Sequence, residues 1–173
     1  MKPILPTGRL ILVPFESHDL ALLHRTFTDP FVRKYLWDDE IISLEQTRDI
    51  LQTNDVHFEK DGWGLWQIRC QADDTYAGVA GLWLFFGEDQ PQLLYGLLPD
   101  QTKKGYATEA SRAVIRYAFE QLSFSYLVAA CDTPHTDSRK VCGRLHLEWV
   151  EEKEMNGRPT AFYRREAGTQ NQF

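Results

Sequence analysis

Residues 95–110 read YGLLPDQTKKGYATEA, and this stretch decides the fold. An apolar, strand-like run from Leu93 to Leu98 stops at Pro99-Asp100. A polar loop with Lys103 and Lys104 follows, and from Gly105 the pattern turns helical. A strand that feeds a helix N-terminus through a loop makes an anion site. The first helical N–H groups have no intrahelical partner, and the helix dipole puts partial positive charge there. Gly105 has no Cβ to hold a ligand off the backbone. Lys103 and Lys104 add point charges beside it. The stretch therefore predicts a phosphate cradle, with Lys103, Lys104, Gly105, Tyr106, Ala107 and Thr108 as its members.

The totals limit what such a cradle serves. The chain has 173 residues, 43% of them hydrophobic and 25% charged, enough for one domain with a real core. Residues 1–166 are expected to form that domain, with 167–173 as a flexible tail. The net charge of −6 opposes binding to nucleic acid or to anionic membranes, so an anionic ligand needs a local basic site. The aromatic share of 13% points to a large core plus an aromatic-lined pocket. Cys70, Cys131 and Cys142 are odd in number, widely spaced and without a CxxC pair, which reads as reduced, buried thiols in a cytoplasmic protein. No apolar run is long enough for a membrane span, and the first residues lack a secretory signal's apolar region.

Taken in order, RLILVPF (Arg9 to Phe15) reads as a strand. Ser17 is the expected cap of a helix over His18 to Phe27, with His24 on its apolar stripe as a packed side chain. Asp29-Pro30 opens a short helical turn through Trp37. Ser43 and Gln46 form a capping-box pattern for a helix to about Phe58, with Leu44, Ile50 and Leu51 inward. Strands follow over Trp66–Cys70, Tyr76–Phe86 and Gln92–Leu98, with Gly78 and Gly81 marking a bulge or close approach. A helix is expected from Ala107 to Leu122. Then come a strand buried on both faces (Tyr126–Cys131), a helix (Thr136–Leu145), and a hairpin across Asn156-Gly157. The two strands around the long helix should be parallel and the rest antiparallel. The fold class is α/β (α+β), a mixed, mostly antiparallel twisted sheet of about seven strands with helices on both faces.

Two common phosphate motifs are absent: the chain has no GxxxxGK(S/T) string, and its loop holds Gly105 without the other glycines of GxGxxG. A third motif, xxGx(G/A) at a helix start after a strand, fits. Lys103 through Ala110 with that motif, together with the preceding Leu97-Leu98-Pro99, resembles the GNAT N-acetyltransferase superfamily. The closest likeness is to its ribosomal-protein alanine/serine N-acetyltransferase (Rim) branch. TGRLIL at Thr7–Leu12, Asp29-Pro30, Tyr35-Leu36-Trp37, Pro134–Leu147 and Tyr163-Arg164 extend the likeness over nearly the whole chain.

The resemblance implies acetyl-CoA as co-substrate, no metal, and transfer of acetyl to a primary amine in a ternary complex. The acceptor is a protein N-terminal α-amine or a small-molecule amine, and the protein a monomer or homodimer. A CoA-binding sensor with little catalysis is the alternative. The cradle would hold the CoA pyrophosphate, and the pantetheine arm would lie along Leu97 and Leu98 where that strand splays from its parallel neighbour. His135 and Ser138 would contact CoA. Ser138 would also face the leaving thiolate, and Gln92 and Tyr95 would orient a proton path. Trp37, Trp83 and Tyr95 are the candidates for the acceptor pocket. The cofactor half of the resemblance is stronger than the catalytic half, and both carry departures. Cys142 stands where a tyrosine acid is common, Gln92 where a glutamate base is common, and Lys103 and His146 where glycine is usual. His146 is thereby expected to adopt φ > 0.

Overall fold

Among the described residues, the sheet is built from eight strands. They are β1 (Leu5–Pro6), β2 (Leu10–Pro14), β3 (Leu65–Cys70) and β4 (Tyr76–Trp83) in the first half. The second half adds β5 (Gln92–Leu97), β6 (Tyr126–Asp132), β7 (Glu148–Met155) and β8 (Arg158–Glu166). The helices are α1 (Leu20–Thr28), α2 (Pro30–Leu36), α3 (Leu44–Asp61), α4 (Tyr106–Glu120) and α5 (Thr136–Arg144). This is a computed structural model that describes residues 1–169. Part of the expected tail, 170–173, lies outside the described residues. The strand order is β1-β2-β3-β4-β5-β6-β8-β7, antiparallel except for β5 and β6. Among the described residues, no helix is long and apolar enough to cross a membrane.

Local chemistry explains most boundaries. The Asp29 carboxylate accepts from the N–H groups of Phe31 and Val32, with Pro30 in the first turn of α2. Ser43 and Gln46 exchange both bonds of the capping box, and Gly62 closes α3 at φ +77. Asn156 and Gly157 take φ +52 and +76, the left-handed pair that a two-residue hairpin needs between β7 and β8. Gly78 lies so close to Gly96 of β5 that a Cβ there would collide with the Gly96 carbonyl oxygen.

Several sequence expectations are corrected. Ser17 caps nothing: it begins a single 3-10 turn, capped by Glu16, that precedes α1. Leu44 faces outward, because α3 buries Thr47, Leu51, Asn54 and Phe58 instead. β6 is buried on one face, with Leu127 and Ala129 inward. β1 went unread because it has two residues, one of them proline.

Asn54 joins the second half of α3 to the sheet. Its amide donates to the Phe15 carbonyl at 3.3 Å and its oxygen accepts the Leu65 N–H at 2.7 Å. Asn54→Ala leaves both backbone groups buried and unpaired, at about 1–3 kcal/mol each. Urea unfolding should show a stability loss of about 2–4 kcal/mol. A midpoint unchanged from wild type would show that Asn54 is not a structural pin.

Side-chain alternation along β5 sets up the site. Leu93, Tyr95 and Leu97 face α4, in the cluster around Val114 and Ala118. Leu94 faces the other layer, packed with Phe27 and Leu65. β5 and β6 share one paired position, Gln92 with Val128, and diverge beyond it.

Candidate acyl-CoA cleft

The divergence of β5 and β6 opens a cleft of 1410 Å³. Its walls include Tyr95, Gly96 and Leu97 of β5, Ala130 to Asp132 of β6, and Ser138 of α5. Leu98 is not among the lining residues; its N–H donates to the Ala77 carbonyl at 2.9 Å. Because antiparallel partners alternate, the backbone groups of Tyr95 and Leu97 are the ones turned toward the gap. The splayed strands expected from the resemblance are thus present, and Leu97 is the better placed of the two leucines for a ligand amide.

At one end the cleft reaches the N-terminus of α4. Gly105 is the N-cap at φ +82, and among the described residues no side chain caps this helix. The N–H groups of its first turn are left for a ligand. Thr102, Lys103, Gly105, Tyr106, Ala107 and Thr108 all line the cleft here. Lys103 takes φ +62, a conformation that costs more for lysine than for glycine. Lys104 points away: its ammonium donates to the Gln101 side chain at 3.2 Å, and it does not line the cleft.

The loop is braced by a residue that sequence reading missed. Arg9 Nη1 donates to the Lys104 carbonyl at 2.8 Å, and Arg9 Nε meets the Glu109 carboxylate at 2.7 Å. Glu109 also accepts from Thr7 Oγ1 and the Arg9 N–H, and these bonds hold its carboxyl below the usual glutamate range against the opposing effect of burial. Arg9 thus ties the start of β2 to the cradle. No local signal marks it, since its partners lie far along the chain. Arg112 and Arg116 on α4, and Lys140 and Arg144 on α5, also line the cleft. Each pair has i, i+4 spacing, so each sits on one helix face. A helical-wheel reading of those segments would have found them.

In the middle of the cleft, the Tyr95 hydroxyl and Ser138 Oγ are 2.7 Å apart. Two hydroxyls in mutual contact use one proton between them and leave the other for a third acceptor. Burial pushes the Tyr95 phenol above its ordinary range, so it stays protonated and acts as a donor. Of the three cysteines expected to be buried only Cys142 is, and it does not line the cleft; Cys70 and Cys131 are half-buried, and Cys131 lines the cleft because β6 turns that face to the gap. Tyr95 brings a phenol to this part of the cleft from β5, on the strand side.

Gln92 is buried beside the junction of β5 and β6, and its amide donates to Glu88 at 2.8 Å. It does not line the cleft. His135 does, and its ring packs on Tyr35 with centroids 4.0 Å apart. His135 Nδ1 accepts the Ser138 N–H at 3.2 Å, which caps α5. The proton of the neutral ring then sits on Nε2, so a capping His135 cannot act as a base. His146 has φ +57, as its glycine-like position implied.

Burial lowers the His135 pKa, so folding favours its neutral form. That contribution to stability is complete above the unfolded value of about 6.5 and is lost as pH falls through the lower folded value. His135→Asn keeps a capping oxygen without a titrating ring. Melting curves should show wild type losing more stability than His135→Asn as pH is lowered below about 6.5. Parallel curves would show that the cap does not couple to protonation.

The two tryptophans predicted for the acceptor pocket come together, but outside the main cleft. Trp37 and Trp83 line a separate apolar cavity of 20 Å³ on the opposite face of the sheet. Among the described residues, no cluster of His, Cys, Asp and Glu could hold a metal ion.

The sequence model of the acetyltransferase (GNAT) domain matches residues 9–148. The uncharacterized N-acetyltransferase YnaD of Bacillus subtilis is 23% identical over 141 residues, covering 82% of this chain and 80% of that protein. The Aspergillus fumigatus FsC-acetyl coenzyme A-N(2)-transacetylase is 28% identical over 172 residues, covering 85% of this chain and 67% of that protein. Among solved structures, the RimL ribosomal L7/L12 α-N-protein acetyltransferase in complex with CoA superposes with a TM-score of 0.79 at 19% identity. That likeness covers 97% of this chain and 100% of that one, and it shows a common fold. With the domain model spanning most of its length, the chain belongs to the GNAT acetyltransferase family.

Proposed function

We propose that the chain transfers acetyl from acetyl-CoA to a primary amine, by direct attack within the cleft. The observation that carries this reading is the gap between β5 and β6, which runs from the uncapped N-terminus of α4 to the Tyr95–Ser138 pair. The residues fit CoA. The first-turn N–H groups of α4 and Lys103 suit its pyrophosphate, and the open backbone edge at Leu97 suits the pantetheine amides. Helix-terminus charge alone contributes about 0.3–2 kcal/mol, so most of the affinity must come from the length of the cleft.

When bound, acetyl-CoA supplies an activated acetyl thioester. The chain's own residues do three things for its transfer. They hold the reactants in line, which lowers the barrier by several kcal/mol in well-oriented systems (about 7–11 at the upper end). A backbone N–H on the open side of β5 that the pantetheine amides leave free, at Tyr95 or Leu97, can polarise the thioester carbonyl. The Tyr95–Ser138 pair offers one free O–H to the sulfur. A thiol titrates at about 8.5 and an ordinary phenol at about 10. Tyr95 lies higher still, so it stabilises the leaving thiolate by hydrogen bonding and keeps its proton.

The acceptor sets the need for a base. An α-amine, with pKa about 7.7–8.0, is roughly one-tenth neutral near pH 7, and a lysine side chain far less. Gln92 cannot take up a proton and His135 is committed as a cap. Both facts favour an α-amine or a small amine of low pKa. The names of two relatives support the same classes, one an α-N-protein acetyltransferase and one an N(2)-transacetylase. The three free cysteines support a reducing, cytoplasmic setting. The second reading, a CoA-binding sensor, is favoured by Gln92 standing where a base is common.

The test is to incubate the protein with acetyl-CoA and a panel of peptides and small amines, and to follow free thiol. Amine-dependent thiol release is the expected result. CoA binding without thiol release across the panel would establish the sensor instead.

A further inference from the structure

The cleft is basic although the chain carries a net charge of −6. Among its charged lining residues, Arg9 pairs with Glu109, and Asp132 pairs with Arg158. Among the described residues, the lining charge that remains is Lys103, Arg112, Arg116, Lys140 and Arg144 against one carboxylate, Asp137. Lys103 belongs to the cradle. The other four cations have no part in the transfer reaction.

Their placement follows from the helices that carry them. α4 packs on β5, α5 packs on β6, and the two helices adjoin. Val114 of α4 and Val141 of α5 enter the same core cluster as Tyr95, so both helices lie on one face of the sheet and flank the gap. Arg112 and Arg116 stand one turn apart on α4, and Lys140 and Arg144 one turn apart on α5. Arg112 lies about 10 Å along the axis from the Gly105 N-cap. Side chains on a helix lean toward its N-terminus, so those of α4 lean toward the cradle. A second basic group thus adjoins the first anion site.

Structural roles do not account for it. Arg116, Lys140 and Arg144 are exposed and have no carboxylate partner among the described residues. Arg144 sits in the last turn of α5, where a cation suits the helix dipole, but α4 has no basic residue in its last turn. Like charges at i, i+4 destabilise a helix, so two such pairs on adjoining helices call for an anion to offset them.

CoA carries two anionic groups. The first-turn N–H groups of α4 and Lys103 suit the pyrophosphate, which leaves the phosphomonoester on the ribose 3′-oxygen. A phosphomonoester bears a charge of about −1.5 to −2 at pH 7 and offers three acceptor oxygens, which guanidinium forks match in pairs. We infer that Arg112 and Arg116 of α4, with Lys140 and Arg144 of α5, form a second anion site that takes the 3′-phosphate of CoA. The inference rests on the cleft being the acyl-CoA site. It makes the chain selective for CoA over dephospho-CoA, which has the same pyrophosphate, pantetheine and thiol but an unphosphorylated ribose.

Titration calorimetry with the two ligands tests this without turnover, at about 0.15 M salt, where exposed charges more than about 8 Å apart are largely screened. Wild type should bind CoA at least about tenfold more tightly than dephospho-CoA, the effect of one or more charge-assisted hydrogen bonds. Arg116→Gln combined with Arg144→Gln removes one exposed cation from each helix. It should cut that ratio by at least about threefold, by weakening CoA and sparing dephospho-CoA. Circular dichroism checks the fold, and Arg116→Gln alone serves if the double variant does not fold. Equal affinities of wild type for the two ligands overturn the second site. So does a folded variant that keeps the wild-type ratio, whether both ligands weaken or neither does. Failure of wild type to bind either ligand overturns the cleft reading together with it.

Discussion

Gly105→Val should weaken acetyl-CoA binding by at least about tenfold in a protein that still folds. Gly105 sits at φ +82, in the left-handed region that a β-branched residue avoids. A Cβ there would also lie 3.2 Å from Arg9 Nη2. Valine therefore acts twice: it pulls the backbone out of the conformation that presents the first N–H groups of α4, and it crowds the arginine that braces the loop. About tenfold corresponds to 1.4 kcal/mol, within the range of helix-terminus anion binding. Calorimetric titration with CoA measures it, and circular dichroism checks the fold. Unchanged affinity in a folded Gly105→Val protein would remove the cradle from the account.

The second large effect concerns turnover. Tyr95→Phe and Ser138→Ala should each lower kcat while leaving CoA affinity within a factor of about two, since each removes one hydroxyl of a pair. In either single variant the remaining hydroxyl can turn toward the sulfur. The double variant has no donor left, and its loss should exceed the product of the single losses, reaching about 100-fold or more. Independent, multiplicative losses would mean that the 2.7 Å contact has no catalytic role. A loss of CoA affinity equal to the loss of kcat/KM would make the pair a binding contact only.

Most of the fold could be read from the chain because its signals are local. Asp29-Pro30, Ser43 with Gln46, and Asn156-Gly157 each carry their own capping or turn chemistry, and each appears in the structure as read. Ser17 misled because the competing cap, Glu16 with Asp19, uses a residue type ranked lower as a cap. Leu44 misled because its position at the start of α3 lies beyond the edge of the core.

The site was legible where it is contiguous in sequence. Gly105 to Thr108 line the cleft because a loop entering a helix writes its geometry into adjacent residues. Arg9, and the meeting of Tyr95 with Ser138, depend on sheet order and on the splay of two strands, which no local pattern encodes. Lys104 shows the limit from the other side. Its charge was read correctly from composition, but its direction is set by Gln101. That Trp37 and Trp83 share a cavity depends on α2 packing on β5 beside β4, which no local pattern encodes.

A crystal structure with CoA bound tests the central claim most directly. The account predicts the pyrophosphate against the N–H groups of Tyr106 to Thr108, the pantetheine amides on the open edge of β5 at Leu97, and the sulfur within hydrogen-bonding reach of Ser138 or Tyr95. CoA bound outside the gap between β5 and β6, or with its sulfur remote from that pair, would contradict it.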